Sequence, residues 1–147
     1  MIAFLTSSPA VGQDHTRLNP ANGLVSELEK VMPRPARGLF VCSDPDDFAF
    51  TDRFAGEMFA AFENAGFPVP LRSVLDHRNP EMAAELVKAA DLIILAGGPT
   101  LAQNRFFQEV RLREAMADFG GVVLGISAGT MNSAETVYVQ PELPGET

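Results

Sequence analysis

Short apolar runs recur along this chain, separated by polar turns and by stretches in which apolar residues return every three or four positions. Residues 2–7 (IAFLTS), 38–43 (GLFVCS), 69–75 (VPLRSVL), 91–98 (DLIILAGG) and 121–127 (GVVLGIS) read as strands. The last two are apolar almost throughout, the pattern of strands buried on both faces. The first leads into a loop rich in Ser, Pro, Gly and Asn that runs through Gly23. The second is entered past Pro33 and Pro35, and the third is the weakest of the set.

Between the runs the period changes. In 52–65, Phe54, Met58, Ala61 and Phe62 fall on one stripe with Asp52 and Glu57 off it, and Gly66 closes the helix. Segment 79–90 opens with Asn79 placed to cap and Pro80 at the first helical position. Segment 102–118 is helical by composition, and Gly120 with Gly121 stops it. After Asn132 there is one short extended piece at 136–139, then two prolines and a glycine. Alternating strand and helix predict a mostly parallel sheet between helical layers, a three-layer α/β/α sandwich. The chain carries no internal repeat and no low-complexity tract.

Composition narrows the function classes. At 147 residues the chain suits one domain, 1–147, and its 46% hydrophobic and 20% charged content is that of a globular protein. A net charge of −8 repels phosphates, so neither nucleic acid nor an anionic membrane is an expected partner. Cys42 is the single cysteine and cannot form an internal disulfide. The start, MIAFLTSSPA, lacks a basic leader with a long apolar run, and no stretch reaches the roughly twenty apolar residues of a membrane span. Cytoplasmic residence is the expectation.

The chemistry concentrates near the end. Residues 125–129, GISAG, fit G-x-S-x-G, and Ser127 follows a buried strand and precedes a helix-capable stretch. A serine raised on such a turn needs neighbours with little side chain, so that strand and helix approach closely and the hydroxyl projects. The next amide, of Ala128, would face an oxyanion. AGGPT at 96–100 ends the preceding apolar strand, and its glycines allow a second amide to face outward at the carboxyl edge of the sheet, where ligands of open α/β folds bind. The bare pattern also fits a packing corner or a phosphate-binding turn. His15 and His77 both precede the serine and read first as solvated loop residues, His77 being the better placed because it follows a strand end. Cys42 reads as a small buried hydrophobe. No His, Cys or carboxylate set has metal-ligand spacing, so no metal or other cofactor is expected.

LAGGPTLAQNRFF followed by GVVLGISAGTMNSAETVYVQPE resembles the peptidase E family of serine peptidases, which includes aspartyl dipeptidases and cyanophycinases. FLTSSP and RLNPANG extend the likeness loosely toward the N-terminus. The resemblance implies a class I glutamine amidotransferase-like, flavodoxin-related fold, with Ser127 as nucleophile, Gly98 and Ala128 as oxyanion donors, and small peptides as substrates. True glutamine amidotransferases place a cysteine at that elbow. The family's catalytic histidine lies a few dozen residues beyond the nucleophile, whereas no histidine occurs between Ala128 and Thr147. The chain is therefore expected to match the N-terminal two-thirds of the family domain and to be impaired alone. The family acid would fall at Glu142 or, failing that, Glu135. Specificity for an acidic substrate would call on a cation such as Arg105 or Arg78, each of which also reads as a surface arginine.

Two other readings remain. A non-catalytic flavodoxin-like domain could hold a nucleotide or other small ligand at the glycine-rich strand ends, although neither G-x-G-x-x-G nor a P-loop pattern is present. An uncovered sheet edge or apolar face would also favour a homo-oligomer.

Overall fold

The computed structural model describes residues 1–12 and 15–134. The chain begins with β1 (Ile2–Thr6), a two-residue antiparallel ribbon of β2 (Ala10–Val11) and β3 (Arg17–Leu18), and α1 (Leu24–Val31). Next come β4 (Arg37–Val41), α2 (Phe48–Asn64), β5 (Leu71–Leu75) and α3 (Ala83–Ala89). They are followed by β6 (Leu92–Leu95), α4 (Thr100–Glu109), α5 (Leu112–Ala115), β7 (Val122–Ile126) and α6 (Ala128–Met131).

Five strands form one sheet in the order β1-β7-β6-β4-β5, and every pairing is parallel. Alternate residues divide its two faces. Phe40, Leu92, Ile94, Leu124 and Ile126 pack with Leu28 of α1 and Met58, Phe59 and Phe62 of α2. Leu39, Val41, Ile93, Leu95 and Val123 pack with Ala83 and Val87 of α3, Phe106 of α4 and Leu112 of α5. The architecture is the expected three-layer α/β sandwich. β6 and β7 are apolar throughout, and β4 is buried from Gly38 to Val41, because helices cover both sides of them. Each fully buried Leu, Ile or Val contributes about 1.5–3 kcal/mol, and Ile94→Ala in the middle strand would cost about 2–5 kcal/mol.

Three local expectations are corrected, and one helix is added. The helix expected at 52–65 begins at Phe48, because the Asp47 side chain accepts the Phe50 amide at 3.1 Å and caps an earlier turn. Segment 102–118 is two helices, since Arg111 takes a left-handed conformation (φ 54°, ψ 48°) between α4 and α5. Asn79 does not cap. Its amide turns back to β5, with Nδ2 donating to Val74 O at 2.8 Å and Oδ1 accepting from Asp76 N at 3.1 Å, while Pro80 opens a 3-10 turn before α3. Finally, α1 was not expected. Leu24, Val25, Leu28 and Val31 have helical spacing and pack on the first core face. The 136–139 extended piece lies outside the described residues. No helix among the described residues is long and apolar enough to cross a membrane.

Candidate functional site

β7 ends at Ile126 and α6 begins at Ala128, so the whole change of direction falls on Ser127. Its backbone takes φ 49° and ψ −103°, a conformation L-residues rarely adopt and one that costs on the order of 1–3 kcal/mol. Ser127 is exposed between buried Ile126 and Ala128. The two motif glycines explain how helix and sheet come so close. A Cβ on Gly125 would lie 3.1 Å from the Thr130 backbone, and one on Gly129 would meet the Leu95 carbonyl, 2.7 Å from its carbon.

The elbow is tied to β1 by bonds around Thr6. Ser127 N donates to Thr6 O at 2.8 Å, Thr130 Oγ1 donates to the same oxygen at 2.7 Å, and Thr6 N donates back to Thr130 Oγ1 at 3.1 Å. A groove of about 380 Å³ lined by residues including Phe4, Thr6, Ser8 and Asn19 runs on this β1 side of the elbow; Ser127 is not among its walls.

On the other side lies the loop that follows β6. Ala96 N still donates to Val41 O at 3.0 Å, and the chain then turns across the elbow. A Cβ on Gly97 would stand 3.2 Å from Ile126 O and 3.5 Å from Ser127 Cβ, so the loop touches the serine turn directly. Gly98 has φ 142° and sits against the Ser43 side chain, leaving no room for a side chain of its own. Among the described residues the buried Ser43 hydroxyl has no hydrogen-bond partner. As the first residue of α6, Ala128 has an amide that no helical carbonyl can accept. The strand ends thus bring Ser127, Ala128 and the 96–99 loop to one edge of the sheet.

Two buried amides brace this edge, and sequence reasoning passed over both. Gln103 Nε2 donates to Cys42 O at 3.2 Å and Ala96 O at 2.7 Å, joining the ends of β4 and β6. Its Oε1 accepts from Asn132 Nδ2 at 2.9 Å, which also donates to Thr100 O at 3.0 Å. A polar residue on the inner side of α4 was the available signal.

His77 lies past the end of β5, three places from β7 in the sheet order. His77 holds both ring nitrogens on carboxylates, Nδ1 on Asp46 and Nε2 on Glu109, each at 2.7 Å, and packs edge-on to Phe106. The Asp46 bond first, then Glu109, raise its pKa above the ordinary value, against the opposing effect of burial. His15 is exposed in the loop before β3. Arg78 is spent on Asp52 and on buried Asp76, which raise its pKa, and its guanidinium lies over Phe48. Arg105 is exposed on α4. Cys42 is fully buried, and burial followed by the charges of Asp76 and Asp44 pushes its thiol far above the reactive range. Glu135 and Glu142 lie outside the described residues.

No protein-family profile and no curated protein sequence matches the chain. Its fold is similar to that of a peptidase from an acI-B1 Actinobacterium known from its crystal structure, with a TM-score of 0.53 and 18% identity. The match covers 89% of this chain and 56% of that one, so the chain spans little more than half the length of this structural relative. The fold and site together define a parallel α/β sandwich with a strained serine at the carboxyl edge of its sheet.

Proposed function

We propose that this chain carries the nucleophile half of a serine hydrolase of the peptidase E type, acting on peptide bonds of small peptides. The observation that carries the reading is Ser127 itself, exposed and held at φ 49° and ψ −103° between a buried strand and a helix. A plain corner has no use for that strain, since an ordinary strand-to-helix turn would serve.

In this reading Ser127 Oγ attacks the substrate carbonyl carbon and the amides of Ala128 and Gly98 stabilise the oxyanion. The hydroxyl proton passes to a base and then to the departing amine as the C–N bond breaks; water hydrolyses the remaining acyl-serine ester. His77 does not serve as that base, because both its ring nitrogens are already engaged. The base is supplied from outside the described residues, and with it the acid that orients it. The likeness to the actinobacterial peptidase supports the fold of this reading and leaves its chemistry to experiment.

The test is hydrolysis of a dipeptide panel, including Asp-led members, by the protein with all the sequence its gene encodes, beside Ser127→Ala. Cleavage lost by at least about three orders of magnitude in the variant is the expected result. Cleavage that persists in Ser127→Ala overturns it.

A further inference from the structure

We propose that Gln103 and Asn132 are positioning residues that hold the 96–99 loop in register with Ser127. The inference rests on the serine-hydrolase reading and adds to it the device that sets the oxyanion geometry.

The orientation of both amides is forced. Cys42 O and Ala96 O can only accept, so the Gln103 nitrogen must face them and its oxygen must face Asn132. Asn132 must then present its nitrogen to Gln103 Oε1 and to Thr100 O, leaving its oxygen for Asn104 Nδ2 at 3.1 Å. Gln103 is fully buried and Asn132 nearly so, and every hydrogen of the two amides is used.

The carbonyls they hold are the informative part. Ala96 O and Thr100 O are the two ends of the glycine loop, and each is gripped by one of the paired amides. Asn132 is also the last residue of the elbow turn, its own N–H donating to Ala128 O at 2.8 Å. The loop therefore cannot shift against the elbow without breaking a buried bond. Oxyanion donors work within a few tenths of an ångström, and a misplacement of about 1 Å costs about 100-fold in rate. A buried amide pair spanning these two segments supplies that precision, on the side of Ser127 opposite the Thr6 tie.

A fluorophosphonate probe reads this directly, because Ser127 Oγ would attack phosphorus while its proton passes to the base, fluoride would leave, and the phosphonyl oxygen would occupy the oxyanion position. Labelling rates are compared for the full gene product, Gln103→Met, Asn132→Leu and Val87→Ala, the last a core truncation in α3 beside Asp91 and Gly121, at the opposite ends of β6 and β7 from the elbow. Melting curves fix the folded fraction. We expect Gln103→Met and Asn132→Leu to label Ser127 about 10- to 100-fold more slowly while folded, and Val87→Ala to label at the parental rate despite its lower melting temperature. If Gln103→Met does not fold, Asn104→Ala, which removes the outer bond to Asn132 and an exposed one from Gln108, replaces it and should slow labelling several-fold. On a hydrolysed peptide the loss should fall on kcat with KM unchanged. Parental rates in the folded amide variants, or equal slowing in Val87→Ala, overturn the inference and leave the nucleophile assignment standing. Absence of Ser127 labelling in the parent overturns that assignment, and this inference with it.

Discussion

Ser127 donates its amide to the carbonyl of Thr6 at 2.8 Å, across from the last pair of the β1 and β7 ladder. The bond extends the sheet by one rung into the elbow, so the strained serine is held by regular strand pairing on one side. The Thr130 hydroxyl reaches the same oxygen at 2.7 Å and closes the strap. The strain at Ser127 persists because these bonds fix its neighbours.

Removing that hydroxyl should loosen the elbow. Thr130→Val is expected to lose about 1–2 kcal/mol, since it leaves Thr6 N without its acceptor. In a chain of this size that lowers the melting temperature by several degrees. Thr130→Ser, which keeps the hydroxyl, should melt close to the parent. A Val variant as stable as the Ser variant would show that the strap carries no weight.

The strain makes its own prediction. Ser127→Ala keeps φ 49° with a Cβ in place, whereas glycine adopts positive φ at no steric cost. Ser127→Gly should therefore be more stable than Ser127→Ala by about 1 kcal/mol, although glycine at an unstrained site usually loses about that much against alanine. Urea unfolding of the two variants decides it; alanine as the more stable would mean that Ser127 is relaxed.

Arg78 joins two carboxylates of unequal burial. Its bonds to Asp76, 1% exposed, include one of 2.7 Å, while Asp52 is 54% exposed. Arg78→Met strands the Asp76 carboxylate with little but the residue-78 amide, 2.9 Å away, and should cost about 3 kcal/mol. Asp52→Asn gives up an exposed pair and should cost under about 1 kcal/mol. Equal losses in denaturant titrations would refute the division.

His77 gives stability a pH dependence of known sign. Its pKa is raised in the folded chain by Asp46 and Glu109, so its contribution is complete below the unfolded value of about 6.5 and fades as pH rises through the folded one. Unfolding free energies measured from pH 5.5 to 9 should show a decline above neutrality that His77→Gln lacks. A parent curve that parallels the variant across this range would remove His77 as its source.

Much of this arrangement was legible in the sequence. The runs at 91–98 and 121–127 gave central strands, because residues buried on both faces leave an unbroken apolar signal. GISAG gave the elbow, because only small neighbours permit Gly125 and Gly129 to approach Thr130 and Leu95 so closely. What escaped depended on long-range partners. Arg111 breaks a helix whose composition favours continuity, and Asp47 caps one turn earlier than the apolar stripe suggests. Gln103 and Asn132 look like ordinary polar helix residues until the ends of β4 and β6 present two carbonyls that need donors. Thr6 and Thr130, 124 positions apart, meet only in the folded sheet.

Covalent capture decides whether Ser127 is the nucleophile. The 147-residue chain, and the same chain with any sequence its gene encodes after Thr147, are treated with a fluorophosphonate and mapped by peptide mass spectrometry. A single adduct on Ser127 is expected, strong where the base is present and faint or absent in the 147-residue chain, with none in Ser127→Ala. No adduct in either protein, or an adduct on another serine that survives Ser127→Ala, would contradict it.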